Sequence, residues 1–210
     1  MRRTTTVLLV LALFVLSGQA LAQARRGQIE LFAGGAIPLA PDEFKDYFKV
    51  GYSLHGQYVM FPSERLGVTF GAAYELFSFN GDKFLDELQT TIGPYRDYFD
   101  VTGNGHIVEL AVGLRPYLTP ATAHTQFFLL GQGTYNMLGT EMTVKIDIPG
   151  YYSEKETYKD DENKFGIAAG AGFETPLSES MNLIIQGLYR HIFTKDEATT
   201  FVGITAGIVF

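Results

Sequence analysis

Eight stretches of the chain alternate apolar and other residues with a period of two, the spacing that turns successive side chains to opposite faces of a β-strand. QIELFAGGA (28–36) sets Ile29, Leu31 and Ala33 against Glu30, Phe32 and Gly34. VGYSLHGQYVM (50–60) sets Tyr52, Leu54, Tyr58 and Met60 against Ser53, His55 and Gln57. In RLGVTFGAAYELFSF (65–79), Leu66, Val68, Phe70, Tyr74 and Leu76 oppose Thr69, Gly71, Ala73 and Glu75. HIVELAVGLRPYL (106–118) repeats the pattern with Val108, Leu110, Val112 and Leu114 against Glu109, Gly113, Arg115 and Tyr117. QFFLLGQGTYNML (126–138) reads as a strand whose facing stays open, because both of its sets mix apolar and polar residues. FGIAAGAGFET (165–175), NLIIQGLYRHIF (182–193) and FVGITAGIVF (201–210) complete the eight, the last ending on Phe210 in mid-alternation.

The connections carry the topology. They run long, short, long, short, long, short and medium, with FPSE, TPATAH and PLSES as the short turns. Strict alternation of this kind predicts an all-β, eight-stranded antiparallel up-and-down barrel. Closure of strand eight on strand one would give the backbone before Phe210 its partner. Pro41 with Asp42 and Glu43 predicts one helical turn in the first long connection. KFLDELQ predicts another within the polar stretch 80–105, since Phe84, Leu85 and Leu88 share one side. EMTVKIDIPGYYSEKETYKDDENK (141–164) keeps alternating through Met142, Val144, Ile146 and Ile148, which predicts a hairpin projecting beyond the barrel.

Charge decides which face is inside. Glu30, Glu75, Glu109, Arg115, Glu174 and Arg190 lie within strands, on the face opposite the large apolar residues, and Gln186 shares that face. In a soluble barrel that face would be the wet exterior; in a membrane barrel it is the lumen, where cross-lumen Arg to Glu pairs can offset the cost of burial. The N-terminus adds an export signal. Arg2 and Arg3 precede the apolar run VLLVLALFVL (7–16) and the small-residue pattern Ala20-Leu21-Ala22. This is the layout of a secretory signal, expected to be cut after Ala22 to leave one domain over 23–210. No Cys follows the cut, so no lipid anchor or disulfide framework is expected. With 16 Lys and Arg against 23 Asp and Glu, a net charge of −7, the chain is a poor partner for nucleic acid.

With strands, alternation and exit signal in place, the segment KFGIAAGAGFETPLSESMNLIIQGLYRHIF (164–193) and the alternating end on Phe210 resemble the outer-membrane β-barrel domain family of Gram-negative bacteria, the small OmpA/OmpX-like eight-stranded barrels. The resemblance covers essentially everything after the signal and implies short periplasmic turns, long extracellular loops, and outer-membrane lipid and lipopolysaccharide as surroundings. It implies that Phe210, with Ile208, Ala206 and Ile204 on its face, is the recognition signal for the barrel-insertion machinery. The chain departs from the family in lacking Trp, so its interfacial girdles fall to Tyr52, Tyr58, Tyr74 and Tyr189.

The function implied is a scaffold anchoring loops, with the lumen plugged by side chains. Residues 139–163 hold seven acidic and three basic side chains, and the run Asp160-Asp161-Glu162 reads as a solvated loop tip, without the spaced ligands and turn Gly of a calcium loop. No catalytic, cofactor-binding or metal-ligating set is expected. Three alternatives stand beside the scaffold. A lipid-editing outer-membrane enzyme calls for a His-x-Ser pair, and only the reverse Ser53-Leu54-His55 occurs. A narrow pore needs a lumen not filled by Phe32, Glu75, Arg115, Tyr117 and Arg190, and a soluble lipid carrier of lipocalin type needs apolar residues inside.

Overall fold

The computed structural model describes residues 27–88, 93–149, 152–195 and 197–210. The leader expected over 1–22 lies outside them. Eight strands, β1 (Gly27–Ala40), β2 (Gly51–Ser63), β3 (Leu66–Ser78), β4 (Phe99–Pro116), β5 (Gln126–Ile148), β6 (Tyr152–Pro176), β7 (Asn182–Ile192) and β8 (Thr199–Val209), form one closed antiparallel ring in sequence order. The seam pairs Glu30 with Val209 and runs up to Pro38 with Phe201 and, after an irregularity, Ala40 with Thr200. Ile29 and Phe210 exchange both backbone hydrogen bonds, at 2.9 and 3.2 Å, so the ladder continues to the final residue. A Cβ at Gly34 would overlap the carbonyl oxygen of Ile204, so glycine is what lets β1 and β8 approach at the seam.

Two short helices sit at the long-connection end, α1 (Asp42–Tyr47) after β1 and α2 (Gly81–Glu87) after β3, followed by a 3-10 turn over Gly93–Tyr98. α1 stands where Pro41, Asp42 and Glu43 put it and α2 where the spacing of Phe84, Leu85 and Leu88 does, and α2 buries Leu85. The turns after β2, β4 and β6 gather at the opposite end.

Three segments differ from the sequence reading. β4 starts at Phe99 rather than 106, because Phe99–Leu114 pairs residue by residue with β5, and that ladder overrides the turn-like Gly103-Asn104-Gly105. β6 starts at Tyr152 rather than 165, and the hairpin expected over 141–164 forms as an unbroken β5–β6 ladder out to Ile148 opposite Tyr152. Asp160-Asp161-Glu162 is therefore not a loop tip but part of β6, paired with Thr140, Gly139 and Leu138. The facing of 126–138 is settled too: Phe128, Leu130, Gln132, Thr134 and Asn136 point in, while Phe127, Leu129 and Met137 are exposed. Its mixed pattern arises because the lumen carries an apolar cluster of its own near the short turns, where Phe128 and Leu130 join Phe32, Tyr117, Ile184, Leu188 and Val209.

Outside, the barrel is apolar. Leu31 (52 %), Leu54 (59 %), Val112 (55 %), Ile167 (53 %) and Ile204 (56 %) lie open on neighbouring strands. A soluble monomer does not leave such a continuous surface to water. A bilayer is its solvent, and closure leaves no strand edge in that solvent. At about 3.4 Å per residue, the 25 residues of β6 run about 80 Å along the strand, against an apolar band about 25 Å tall. The far part of β5 and β6 therefore stands clear of lipid.

The outward position of Val112 gives a direct test of this facing. Val112→Arg puts a guanidinium among Leu110, Leu114 and Phe70 and should destabilise the barrel in phospholipid vesicles by about 2–4 kcal/mol if the site is near the midplane, read as a lowered urea midpoint. An unchanged midpoint would place this face in water.

Candidate functional site

The interior is a stack of charged and polar side chains sent inward by alternate positions of facing strands. Arg115 on β4 crosses the lumen to Glu30 on β1 and donates to both of its oxygens, Nη1 to Oε1 at 2.6 Å and Nη2 to Oε2 at 2.8 Å. Both residues are fully buried, and the guanidinium lies 4.4 Å from the centre of the Phe128 ring. Gln57 also donates to Glu30, and Gln28 donates to Glu30 (2.8 Å) and Glu174 (3.4 Å). Asn182 donates to Glu174 at 2.6 Å.

A second layer lies nearer the long connections. Arg190 on β7 reaches Glu109 on β4 (Nε to Oε2, 3.2 Å) and Glu75 on β3 (Nη2 to Oε1, 3.6 Å), and its guanidinium stands 5.4 Å from the Phe201 ring. The Nε2 of His55 is shared by Ser53 Oγ (2.6 Å), Glu75 Oε1 (2.9 Å) and Arg190 Nη2 (3.1 Å). Gln186 is buried between the layers, and its Oε1 has no protein partner. The void among His55, Gln57, Gln132, Gln186 and Arg190 is about 20 Å³, the room of a single water molecule and not a path for solutes.

Four carboxylates thus face two guanidinium groups. Most of the excess acceptors are met by the amide donors Gln28, Gln57 and Asn182 and by the Ser53–His55 pair, which sequence reading did not assign to the network, while Glu75 Oε2, Arg115 Nε and Arg190 Nη1 are buried without a hydrogen-bond partner among the described residues. Period two carried the signal: Gln57, His55 and Ser53 share the Glu-bearing face. Hydrogen bonds to charged groups contribute roughly 1.5–3 kcal/mol each, which is how so much charge is held inside a narrow ring.

The long-connection mouth is covered. Phe44 of α1 packs on Phe77 (5.0 Å between ring centres), Phe48 (5.4 Å) and Phe201 (6.5 Å), over the buried cluster Ala36, Phe77, Ile107, Ile192 and Phe201. Lys83 of α2 pairs with Asp46 of α1 at 2.7 Å, and this hydrogen bond holds the Asp46 carboxyl below its usual range. Tyr47 donates to Glu87, and that acceptor raises the phenol above its ordinary value. Arg96 of the 3-10 turn grips Asp86 with Nη2 (2.6 Å) and Nε (2.9 Å).

Beyond the mouth, the far halves of β5 and β6 keep the pleat of the barrel, with one face acidic and apolar and the other of mixed charge. The luminal set of β6 continues as Glu162, Asp160, Tyr158, Glu156, Glu154 and Tyr152, beside Met142, Val144, Ile146 and Ile148 of β5. The outer set holds Asp161, Lys159, Thr157, Lys155 and Ser153, opposite Gly139, Glu141, Thr143, Lys145 and Asp147. Lys159 pairs with Glu141 at 2.7 Å and Lys145 with Asp147 at 3.1 Å. On the luminal face Tyr158 donates to Glu156 and Tyr152 to Glu154.

At the other end of the chain, Phe210 (59 % exposed), Ile208 and Ile204 present an outward apolar row, with Ala206 in the same set. Tyr52, Tyr74 and Tyr189 are exposed on the outer face and Tyr58 is half-exposed there.

The Ser53, His55 and Glu75 cluster has the residue types of a nucleophile, base and orienting acid but not their geometry. Ser53 and Glu75 meet the same ring nitrogen, whereas a triad requires the acid on one nitrogen and the nucleophile on the other. The cluster is also inside, away from lipid. It ties β2 to β3 and, through Arg190, to β7.

The cross-lumen pairs generate a stability test. Arg115→Met leaves the Glu30 carboxylate buried without its cation and should cost about 3–5 kcal/mol, while the double variant Arg115→Met with Glu30→Gln should regain most of that loss. Denaturant midpoints of the three proteins decide it; equal losses in the single and double variants would mean that the pair is not coupled.

Set beside known proteins, the chain matches no family model and no curated protein. Among solved structures it is similar to a major outer membrane protein from Thermus thermophilus, with 12% identity, 89% of this chain and 99% of that one covered, and a TM-score of 0.55. It is also similar to Neisserial surface protein A, NspA, with 10% identity, 87% of this chain and 95% of that one covered, and a TM-score of 0.51. At such identities the likeness is one of fold, and the ring order, the cross-lumen charge and the outward apolar band agree with it: this chain has the fold of the eight-stranded outer-membrane β-barrels.

Proposed function

We propose that the protein is an integral outer-membrane scaffold of a Gram-negative bacterium, exported by its N-terminal signal and displaying the β5–β6 hairpin outside the cell. The observation that carries this reading is a barrel shut from within. The Arg115–Glu30 and Arg190–Glu109 bridges span the lumen, and the Phe44 cluster covers its mouth, so the interior offers neither solute passage nor a substrate cleft. What remains accessible is the apolar wall, which lipid occupies, and the hairpin with its acidic luminal face.

The outward row of Phe210, Ile208, Ala206 and Ile204 is the segment by which the insertion machinery would take up the chain, and the Ile29–Phe210 rung supports its delivery as a strand beside β1. The short turns then lie in the periplasm, on the side from which the chain arrives, and the long connections and hairpin face outward among the lipopolysaccharide. The lumen bears no catalytic geometry among the described residues, which supports a role other than lipid editing.

Expression in a Gram-negative host tests the proposal. The protein is expected in the outer-membrane fraction, with a gel mobility that shifts on boiling, and with no stepwise conductance in planar bilayers. Recovery from the periplasmic supernatant, or steady ion conductance, would overturn the membrane or the scaffold reading respectively. Phe210→Ser should leave the chain exportable but lower the boiling-sensitive fraction, whereas an undiminished fraction would remove Phe210 as the insertion signal.

A further inference from the structure

The hairpin has an edge that the barrel does not close. β7 parts from β6 at Gly166, opposite Ile192, and the Phe193 N–H donates to the Phe165 carbonyl at 2.9 Å as the last rung. From Tyr152 to Lys159, β6 pairs with β5 alone among the described residues. Backbone polar groups of successive strand residues point to opposite edges. Since the Phe165 carbonyl points to the β7 side, the backbone groups of Ser153, Lys155, Thr157 and Lys159 point to that same, unpaired side, and all four residues are exposed.

Charge decides what such an edge can accept. Glu154 and Glu156 lie on the luminal face and Lys155 and Lys159 on the outer face, so each face of the edge carries one sign. A second copy is the wrong partner: an antiparallel register that sets Glu154 against Glu156 also sets Lys155 against Lys155, and like charges directly opposite are destabilising. A strand bearing cations at alternate positions meets the acids on one face, and neutral or acidic residues between them meet the lysines on the other. Tyr152 and Tyr158 flank the two glutamates and offer flat apolar surface to the stems of long cationic side chains.

Building on the scaffold reading above, we infer that the Ser153–Lys159 edge of β6 is a strand-addition site for an extended segment of another protein carrying Lys or Arg at every second residue. Main-chain hydrogen bonds would supply the affinity and alternate side chains the selectivity.

The test uses the full chain folded in detergent micelles and checked by its boiling shift. The probe is a dye-labelled, end-blocked peptide of alternating Lys and Thr, with a second version N-methylated at alternate residues so that it cannot continue a ladder. Fluorescence anisotropy should show binding of the first peptide that weakens with salt and is lost with the second. Thr157→Pro removes one edge N–H while leaving the β5 ladder in place, and should weaken binding about tenfold or more. Thr157→Val keeps the N–H, loses only the hydroxyl that meets Thr143, and should bind like the parent. The double variant Glu154→Gln with Glu156→Gln should bind more weakly and flatten the salt dependence.

Equal binding of the N-methylated peptide, or of the parent peptide to Thr157→Pro, would overturn strand addition in favour of loose charge attraction. No binding to a chain that shows the boiling shift would overturn the site while leaving the barrel intact. A concentration-dependent dimer that Thr157→Pro dissolves would make a second copy the occupant instead. Absence of the boiling shift would overturn the scaffold reading, and this inference with it.

Discussion

Closure of the sheet is the constraint from which the rest follows. In hydrocarbon no water is available for an unpaired N–H or C=O, so a sheet survives there only as a ring. The β1–β8 seam meets that demand from Ala40 opposite Thr200 to the Ile29–Phe210 rung. Its close approach at Gly34 depends on the absence of a side chain, since any Cβ there would strike the Ile204 carbonyl. A ring with lipid outside then inverts the usual rule: leucines, valines and isoleucines are exposed, and charge collects in the middle.

The narrowness of eight strands gives that charge its role. Side chains from opposite walls meet across the lumen, so a carboxylate on β1 can be served by a guanidinium on β4, and one on β3 or β4 by β7. These bridges tie walls that share no backbone hydrogen bonds. They are flanked by the apolar cluster around Phe128 toward the short turns and by the Phe77 and Phe201 cluster under α1 toward the mouth. Charge held between two apolar layers is screened from solvent, which strengthens each bridge and makes loss of one partner expensive. The same packing fills the lumen with side chains that bind one another.

How much of this the sequence disclosed depends on the local balance of signals. Strands such as VGYSLHGQYVM were readable because one face is purely apolar, as a lipid face must be. Residues 126–138 resisted because Phe128 and Leu130 belong to the luminal apolar cluster, so both faces of β5 are greasy there for different reasons. The early start of β4 was hidden by Gly103-Asn104-Gly105, and within the hairpin that alternation did disclose, the acidic run 160–162 read as a tip; both are turn-like locally but held in strand form by pairing with β5. Alternation gave a side to each charged residue of the interior but no partner, because a partner depends on the stagger around the ring, which no single strand contains. The helices over the mouth showed only as isolated turns; their joining through Lys83 and Asp46 is a contact between connections far apart in the chain.

The hairpin marks where the closing constraint ends. Inside lipid, β6 needs β7 on one side and β5 on the other; beyond Gly166 water can serve the outer edge, and β7 turns away. The pleat does not stop at that boundary, so the set that faced the lumen goes on to face the space above the mouth, and the set that faced lipid goes on outward. Residues on the two sets answer to water rather than to lipid, and their character changes accordingly: Ile167 and Phe165 give way to Lys159 and Lys155, and Gly166 and Ala168 to Glu156 and Glu154. An edge that would be untenable a few residues lower is stable there, with one sign of charge on each side. The barrel therefore sets both where an open strand can exist and which way its charges point.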